Sequence, residues 1–230
     1  MIDPAFIQDV IRVLFAVVIV TAAYIISTRN MISLVSVYAL QSLTLVFMAL
    51  ALYSLEGTTV LLAIACITFA SKVLVIPYFI ATIQERIRIK RDIEFHFLSP
   101  TTSLLLSMAL MLFIYIALAH IMEGTPGRES LFFFGAVIGI SLMLMGMMVT
   151  FSRKRAITKV LGYLTMENGV LLFGMFVTKL PFIIEFLIII DLIILVMLTT
   201  ILTVGLDSTL EDYHNRLHRF HLVEDTEEGP

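Results

Sequence analysis

The chain has 230 residues, of which 60% are hydrophobic and 14% are charged, and its formal net charge is -3. Soluble globular proteins carry roughly a quarter of charged residues, so this composition excludes that class and indicates an integral membrane protein. The single cysteine, Cys66, excludes an internal disulfide and a cysteine-rich metal cluster. We expect it to be a small buried residue of an apolar helix.

Long apolar runs recur along the chain, each close to the roughly 20 residues that cross a bilayer core as a helix. The first run begins with Asp3 and Asp9, where a cleavable signal peptide would be basic, so we interpret it as a permanent span. The runs predict an all-α integral membrane protein with seven transmembrane helices, at residues 6–27, 34–54, 58–84, 101–122, 129–151, 156–178 and 182–205.

Lysine and arginine residues divide unevenly between the two sides of this seven-helix arrangement. Eleven of the fifteen fall on one side, in the loops at 28–33, 85–100 and 152–159 and in the C-terminal tail. Because basic loops stay in the cytoplasm, we predict a multi-pass protein of the cell membrane with its N-terminus outside and its C-terminus in the cytoplasm. An even number of helices would break this division, so it supports the count of seven.

The chain contains a weak internal repeat. The segments RNMISLVSVYALQSLTLVF (29–47) and KRAITKVLGYLTMENGVLLF (154–173) align so that Tyr38 matches Tyr163 and Ser42 matches Glu167. Both segments run in the same direction, so we predict two parallel three-helix repeats joined by the fourth helix. The resulting organisation is a first unit at 1–84, a basic cytoplasmic loop with the connecting helix at 85–122, a second unit at 123–205, and a cytoplasmic amphipathic helix with an acidic tail at 206–230.

Four ionisable residues lie inside predicted membrane helices. Lys72, Glu167 and Asp191 are near the centres of the third, sixth and seventh helices, and Glu185 precedes Asp191 by six residues. Each charge at such a depth costs roughly 2.5–3.5 kcal/mol on insertion scales, so we expect these side chains to face a protein interior or a wet cavity. One lysine cannot neutralise three carboxylates, which favours a proton or ion path. A purely structural ion pair of Lys72 with Glu167 or Asp191 is the alternative.

Polar residues and a proline surround these charges in the sequence. Pro77 has no N–H to bond the carbonyl of Val73, immediately after Lys72, so we expect a kink there with room for water. Gln41 on the second helix and Tyr163 and Asn168 on the sixth are predicted to support the same path.

Four segments carry a resemblance to a known family: QSLTLVFMAL (41–50), ITFASKVLVIP (67–77), GYLTMENG (162–169) and EFLIIID (185–191). In this order they resemble the E component of hydrogenase-4-type and formate hydrogenlyase complexes. That family is related to the K-type subunit of respiratory complex I and to the C subunit of multisubunit cation/proton antiporters. In these relatives a basic turn leads into a helix with a membrane-embedded glutamate, a pattern that Arg155 and Glu167 fit. The complex I pattern places its glutamate two residues after a glycine, whereas here Leu164 holds that position and Glu167 follows one turn later.

The resemblance implies a non-catalytic subunit that translocates protons or sodium ions in a group 4 hydrogenase-type, complex I-like oxidoreductase complex. Its partners would be antiporter-like membrane subunits and a membrane anchor subunit, with the nickel–iron centre and iron–sulfur clusters held by partner subunits and no cofactor in this chain. A subunit of a stand-alone cation/proton antiporter and a structural membrane scaffold are the alternatives.

Overall fold

The computed structural model of the chain describes residues 4–28, 30–87, 99–123, 130–153 and 156–177. All of these residues belong to one compact unit, Met1–Glu185, and nearly all of them are helical. The helices are α1 (Pro4–Ser27), α2 (Met31–Glu56), α3 (Thr59–Thr68), a π-helix (Phe69–Val75), α4 (Ile76–Ile87), α5 (Pro100–Ile121), α6 (Leu131–Ser152) and α7 (Ala156–Val177).

Six stretches within the described ranges are long and apolar enough to cross a membrane. They coincide with the first six predicted transmembrane helices, and the third of them, Thr59–Ala81, combines α3, the π-helix and the start of α4. The seventh predicted helix, at 182–205, lies outside the described residues, together with Glu185 and Asp191. The helical class is therefore confirmed for the described residues, and their six long apolar stretches suggest a multi-pass membrane protein. The seventh helix, the repeat and the orientation stay predictions.

Local sequence signals explain where these helices begin and end. Asn30, Ser99 and Ser130 precede α2, α5 and α6, and each side-chain oxygen accepts a hydrogen bond from an amide of the first turn. Such caps satisfy amides that have no partner inside the helix. Gly57 ends α2 with a φ of 69°, a left-handed conformation that suits glycine.

Two helix pairs lie side by side in the fold. α1 packs against α2 and α6 packs against α7, the latter with the most extensive contact in the described unit. In addition, α1 packs against α6 and α2 against α7. These are the helices that the predicted repeat treats as equivalent, although the duplication itself stays a prediction. α5 contacts α1 and α6 and is otherwise largely exposed.

The expectation for Cys66 is wrong. This cysteine is exposed, because α3 turns it away from the other described helices and buries Leu61, Ile64, Ala65 and Thr68 instead. A helix of a membrane protein can be apolar on every side, so apolar surroundings in the sequence do not show which residues are buried.

Candidate functional site

An ion pair between the π-helix and α7 lies in the interior of the described bundle. The Nζ of Lys72 is 3.5 Å from Oε2 of Glu167, and the two side chains are only 1% and 4% exposed. This distance exceeds the roughly 2.7–2.9 Å of a charge-assisted hydrogen bond, so the pair is held by charge and not by a tight hydrogen bond. The structure thus brings together two of the four ionisable residues singled out from the sequence.

The π-helix sets the direction of Lys72. The amide of Ile76 donates to the carbonyl of Ser71, five residues back, which places an additional residue in this turn. The next residue is Pro77, which has no N–H, so the π register cannot continue through it. In this register position 77 would pair with the carbonyl of Lys72, and not with that of Val73 as an α-helical reading of the sequence indicates. A local π-helix therefore precedes the proline, and the expected kink stays a prediction.

A set of neutral polar side chains continues from Glu167 toward α1. Asn168 donates through Nδ2 to Oε1 of Gln41 and to Oγ of Ser42, both at 3.2 Å. Gln41 in turn donates through Nε2 to Oγ1 of Thr21 at 3.4 Å. All four side chains are buried. We name this set, Thr21, Gln41, Ser42 and Asn168, the amide network.

Consecutive residues of α7 therefore connect the two parts of the site. Because successive side chains of a helix point in directions about 100° apart, Glu167 reaches the π-helix while Asn168 reaches α2. Two oxygens, Oε1 of Glu167 and Oδ1 of Asn168, are buried and have no hydrogen-bond partner within the described ranges. Both are acceptors, so each can receive a hydrogen bond or contact a cation, and the one of Glu167 belongs to the ion pair itself.

Glycines on α6 and α7 allow this arrangement. A Cβ at Gly146 of α6 would overlap the backbone nitrogen of Met166, and a Cβ at Gly162 of α7 would lie 2.7 Å from the backbone nitrogen of Thr150. The two helices can approach this closely only because these positions carry no side chain, a common basis for helix association in membranes. Met166 immediately precedes Glu167 in the chain, so the packing of α6 against α7 determines where Glu167 lies along the two helices.

Of the remaining predicted site residues, some lie within the described helices and others lie outside them. Tyr163 is half-buried on α7, whereas Tyr38, which matches it in the repeat, is completely buried on α2. Asp191 and Glu185 lie outside the described residues, so their relation to the Lys72–Glu167 pair stays a prediction. Within the described ranges, no three His, Cys, Asp or Glu side chains are grouped so that they could hold a metal ion.

Sequence reasoning missed Thr21 and misplaced Arg153. Thr21 is one of several hydroxyl residues in apolar helices, and only its contact with Gln41 distinguishes it from the others.

Arg153 was assigned to a basic loop, but it is 3% exposed and lies against the end of α1. Its Nη2 donates to the carbonyls of Ile26 at 3.1 Å and Thr28 at 2.8 Å, with a longer contact of 3.4 Å to Ile25. The last carbonyls of a helix have no partner within it, and arginine can supply the missing donors.

Replacing Arg153 by methionine should destabilise the described unit. The buried carbonyls of α1 would lose their charged donor, and such hydrogen bonds contribute about 1.5–3 kcal/mol each. We expect a clear loss of thermal stability of the purified chain in detergent. Arg12→Met is the control, because Arg12 is an exposed arginine of α1 that pairs locally with Asp9. Equal melting temperatures for Arg153→Met and Arg12→Met would contradict this role.

Comparison with known proteins adds no assignment. No protein-family description, no curated protein and no solved structure matches this chain. The resemblance to the hydrogenase-4 component E family therefore stays a prediction from the sequence, and a function is inferred from that resemblance together with the geometry of the site.

Proposed function

We propose that the chain is an ion-translocating membrane subunit of a hydrogenase-type, complex I-like oxidoreductase complex. In this proposal Lys72 and Glu167 form one station of a proton or sodium path that runs laterally in the membrane, and Asp191 and Glu185 belong to the same path. The chain itself carries out no redox chemistry, which belongs to partner subunits with nickel–iron and iron–sulfur centres.

The observation that carries the proposal is the buried Lys72–Glu167 pair. Charges within a membrane are costly and generally mark ion or proton pathways. The pair lies on two helices that are long enough to span a bilayer, and it is 3.5 Å apart instead of tightly bonded. A loosely held carboxylate whose second oxygen accepts no hydrogen bond from the described residues is suited to accepting and releasing a proton or cation.

The test is ion transport by the complex that co-purifies with this chain, reconstituted in liposomes. Glu167→Gln should lower the rate of ion uptake by at least about tenfold, since a positioned proton-transfer group typically contributes about 10²-fold or more in rate. Glu56→Gln is the matched control, because Glu56 is an exposed glutamate at the end of α2. An assembled Glu167→Gln complex that moves ions as fast as wild type would contradict the proposal.

A structural scaffold is the second candidate, and one observation favours it. The Lys72–Glu167 pair joins the π-helix of the first predicted unit to α7 of the second, so it could serve only to hold them together. In that case Glu167→Gln would lower the thermal stability of the complex while ion uptake per assembled complex stayed at the wild-type level.

The polypeptides that co-purify with this chain would distinguish a hydrogenase complex from a stand-alone antiporter, because only the former contains a nickel–iron subunit.

A further inference from the structure

The hydrogen bonds of the amide network all point in one direction. The hydroxyl of Thr21 donates to backbone carbonyls of its own helix, with Oγ1 2.9 Å from the oxygens of both Val17 and Val18. Its oxygen is therefore left to accept, and the group that faces it at 3.4 Å must be the NH₂ of Gln41. The side-chain oxygen of Gln41 then faces α7.

The same reasoning extends to Asn168. Because Gln41 presents its oxygen, the atom of Asn168 that meets it at 3.2 Å must be Nδ2, which also donates to Oγ of Ser42. Oδ1 of Asn168 consequently points away from α2. It is buried next to Glu167 in the chain and has no hydrogen-bond partner within the described residues. The orientation of each amide thus depends on the one before it, beginning at a hydroxyl on α1.

We propose that Thr21 is a positioning residue that determines which amide atom of Asn168, the residue after Glu167 in the chain, is left without a partner among the described residues. With Thr21 in place, Asn168 offers an acceptor oxygen, which fits a donor such as an ammonium, a protonated carboxyl or a water that carries a proton. Without the hydroxyl, no acceptor at position 21 fixes the orientation of the Gln41 amide. The Asn168 amide can then turn over and offer its NH₂ group instead. The effect on the ion path rests on the proposed function, whereas the orientation of the two amides does not.

Side-chain amide spectra of the full chain test the orientation directly. The sequence contains three asparagines, Asn30, Asn168 and Asn215, so labelling with ¹⁵N-asparagine gives few signals, and Asn168→Leu identifies the one of Asn168. Thr21→Val, which keeps the shape of the side chain, should shift or split this signal. Thr21→Ser, which keeps the hydroxyl, should leave it as in wild type.

Thr44→Val is the matched control. Thr44 is also buried, and its hydroxyl donates to a carbonyl of its own helix at 2.8 Å, but it does not belong to the amide network. An unchanged Asn168 signal in Thr21→Val, or an equal change in Thr44→Val, would overturn the proposal.

Ion transport provides the second measurement. Thr21→Val should lower ion uptake by about fivefold, the effect of one neutral hydrogen bond, and it should have no further effect in an Asn168→Leu background because Thr21 acts through Asn168. An additional loss in that background would overturn the proposed route through Asn168. If the spectra change as expected while Glu167→Gln transports ions normally, the proposed function fails and the positioning role of Thr21 stands.

Discussion

Lys72→Met should lower the free energy of unfolding by about 3–5 kcal/mol, because removing one partner of a buried ion pair leaves the other charge uncompensated. Glu167 would keep its buried carboxylate, which is 4% exposed, without the ammonium 3.5 Å away. Methionine has nearly the length of lysine and is apolar, so loss of packing contributes little. The measurement is thermal unfolding of the purified chain in detergent.

The double variant Lys72→Met/Glu167→Gln should recover most of this loss, because replacing both charges by neutral side chains is often neutral or stabilising. Lys159→Met is the control, since Lys159 lies on α7 with an exposed side chain. If the pair is also part of an ion path, the double variant should be stable and yet fail to move ions. A double variant that is as unstable as Lys72→Met would show that the charges do not act as a pair.

Gly146→Ala should be the most damaging single-methyl change among the described residues of α6. The new Cβ would overlap the backbone nitrogen of Met166, which cannot move aside as a flexible side chain can. Overpacking of this kind typically costs about 1–3 kcal/mol, and relief of the overlap requires α6 and α7 to separate at the turn before Glu167. Ion transport should therefore fall together with thermal stability.

Met147→Ala provides the comparison for this change. Met147 is the next residue of α6 and is exposed, so the variant introduces the same alanine without an overlap. We expect a melting temperature close to that of wild type, because exposed substitutions usually alter stability by about 0.5 kcal/mol or less. Wild-type stability of Gly146→Ala would show that the two helices do not need this close approach.

The level of a residue along its helix could be read from the sequence, because it follows from helical rise alone. Lys72 and Glu167 are each near the middle of an apolar run, and two residues at similar depth with opposite charge are expected to meet. The sequence left open whether Lys72 pairs with Glu167 or with Asp191, and the structure places Glu167 3.5 Å from it. The sequence did not predict toward which side of its helix a side chain points, because nearly every side of these helices is apolar. The exposed position of Cys66 is an example.

The amide network and the position of Arg153 also show that the sequence does not indicate contacts between residues that are far apart in the chain. Asn168 and Gln41 were predicted to support the same path, but the sequence did not indicate that Asn168 donates to Gln41 or that Gln41 donates to Thr21. Arg153 follows α6 and precedes α7, so its basic neighbours suggested a solvated loop. Its partners, the last carbonyls of α1, are more than 120 residues away in the chain, and nothing local to position 153 indicates them.

The sequence by itself determined that the described part of the chain is helical, which of its stretches are long and apolar enough to span a membrane, and which charged residues they carry. These properties follow from the length of apolar runs and from the cost of placing charge in lipid, both of which depend on local composition. Only the tertiary structure decided that Lys72 faces Glu167, that a π-helix precedes Pro77 and that glycines bring α6 onto α7. These features depend on the rotation of each helix and on close approach between distant segments, and in an almost uniformly apolar chain neither is encoded in the hydrophobic pattern.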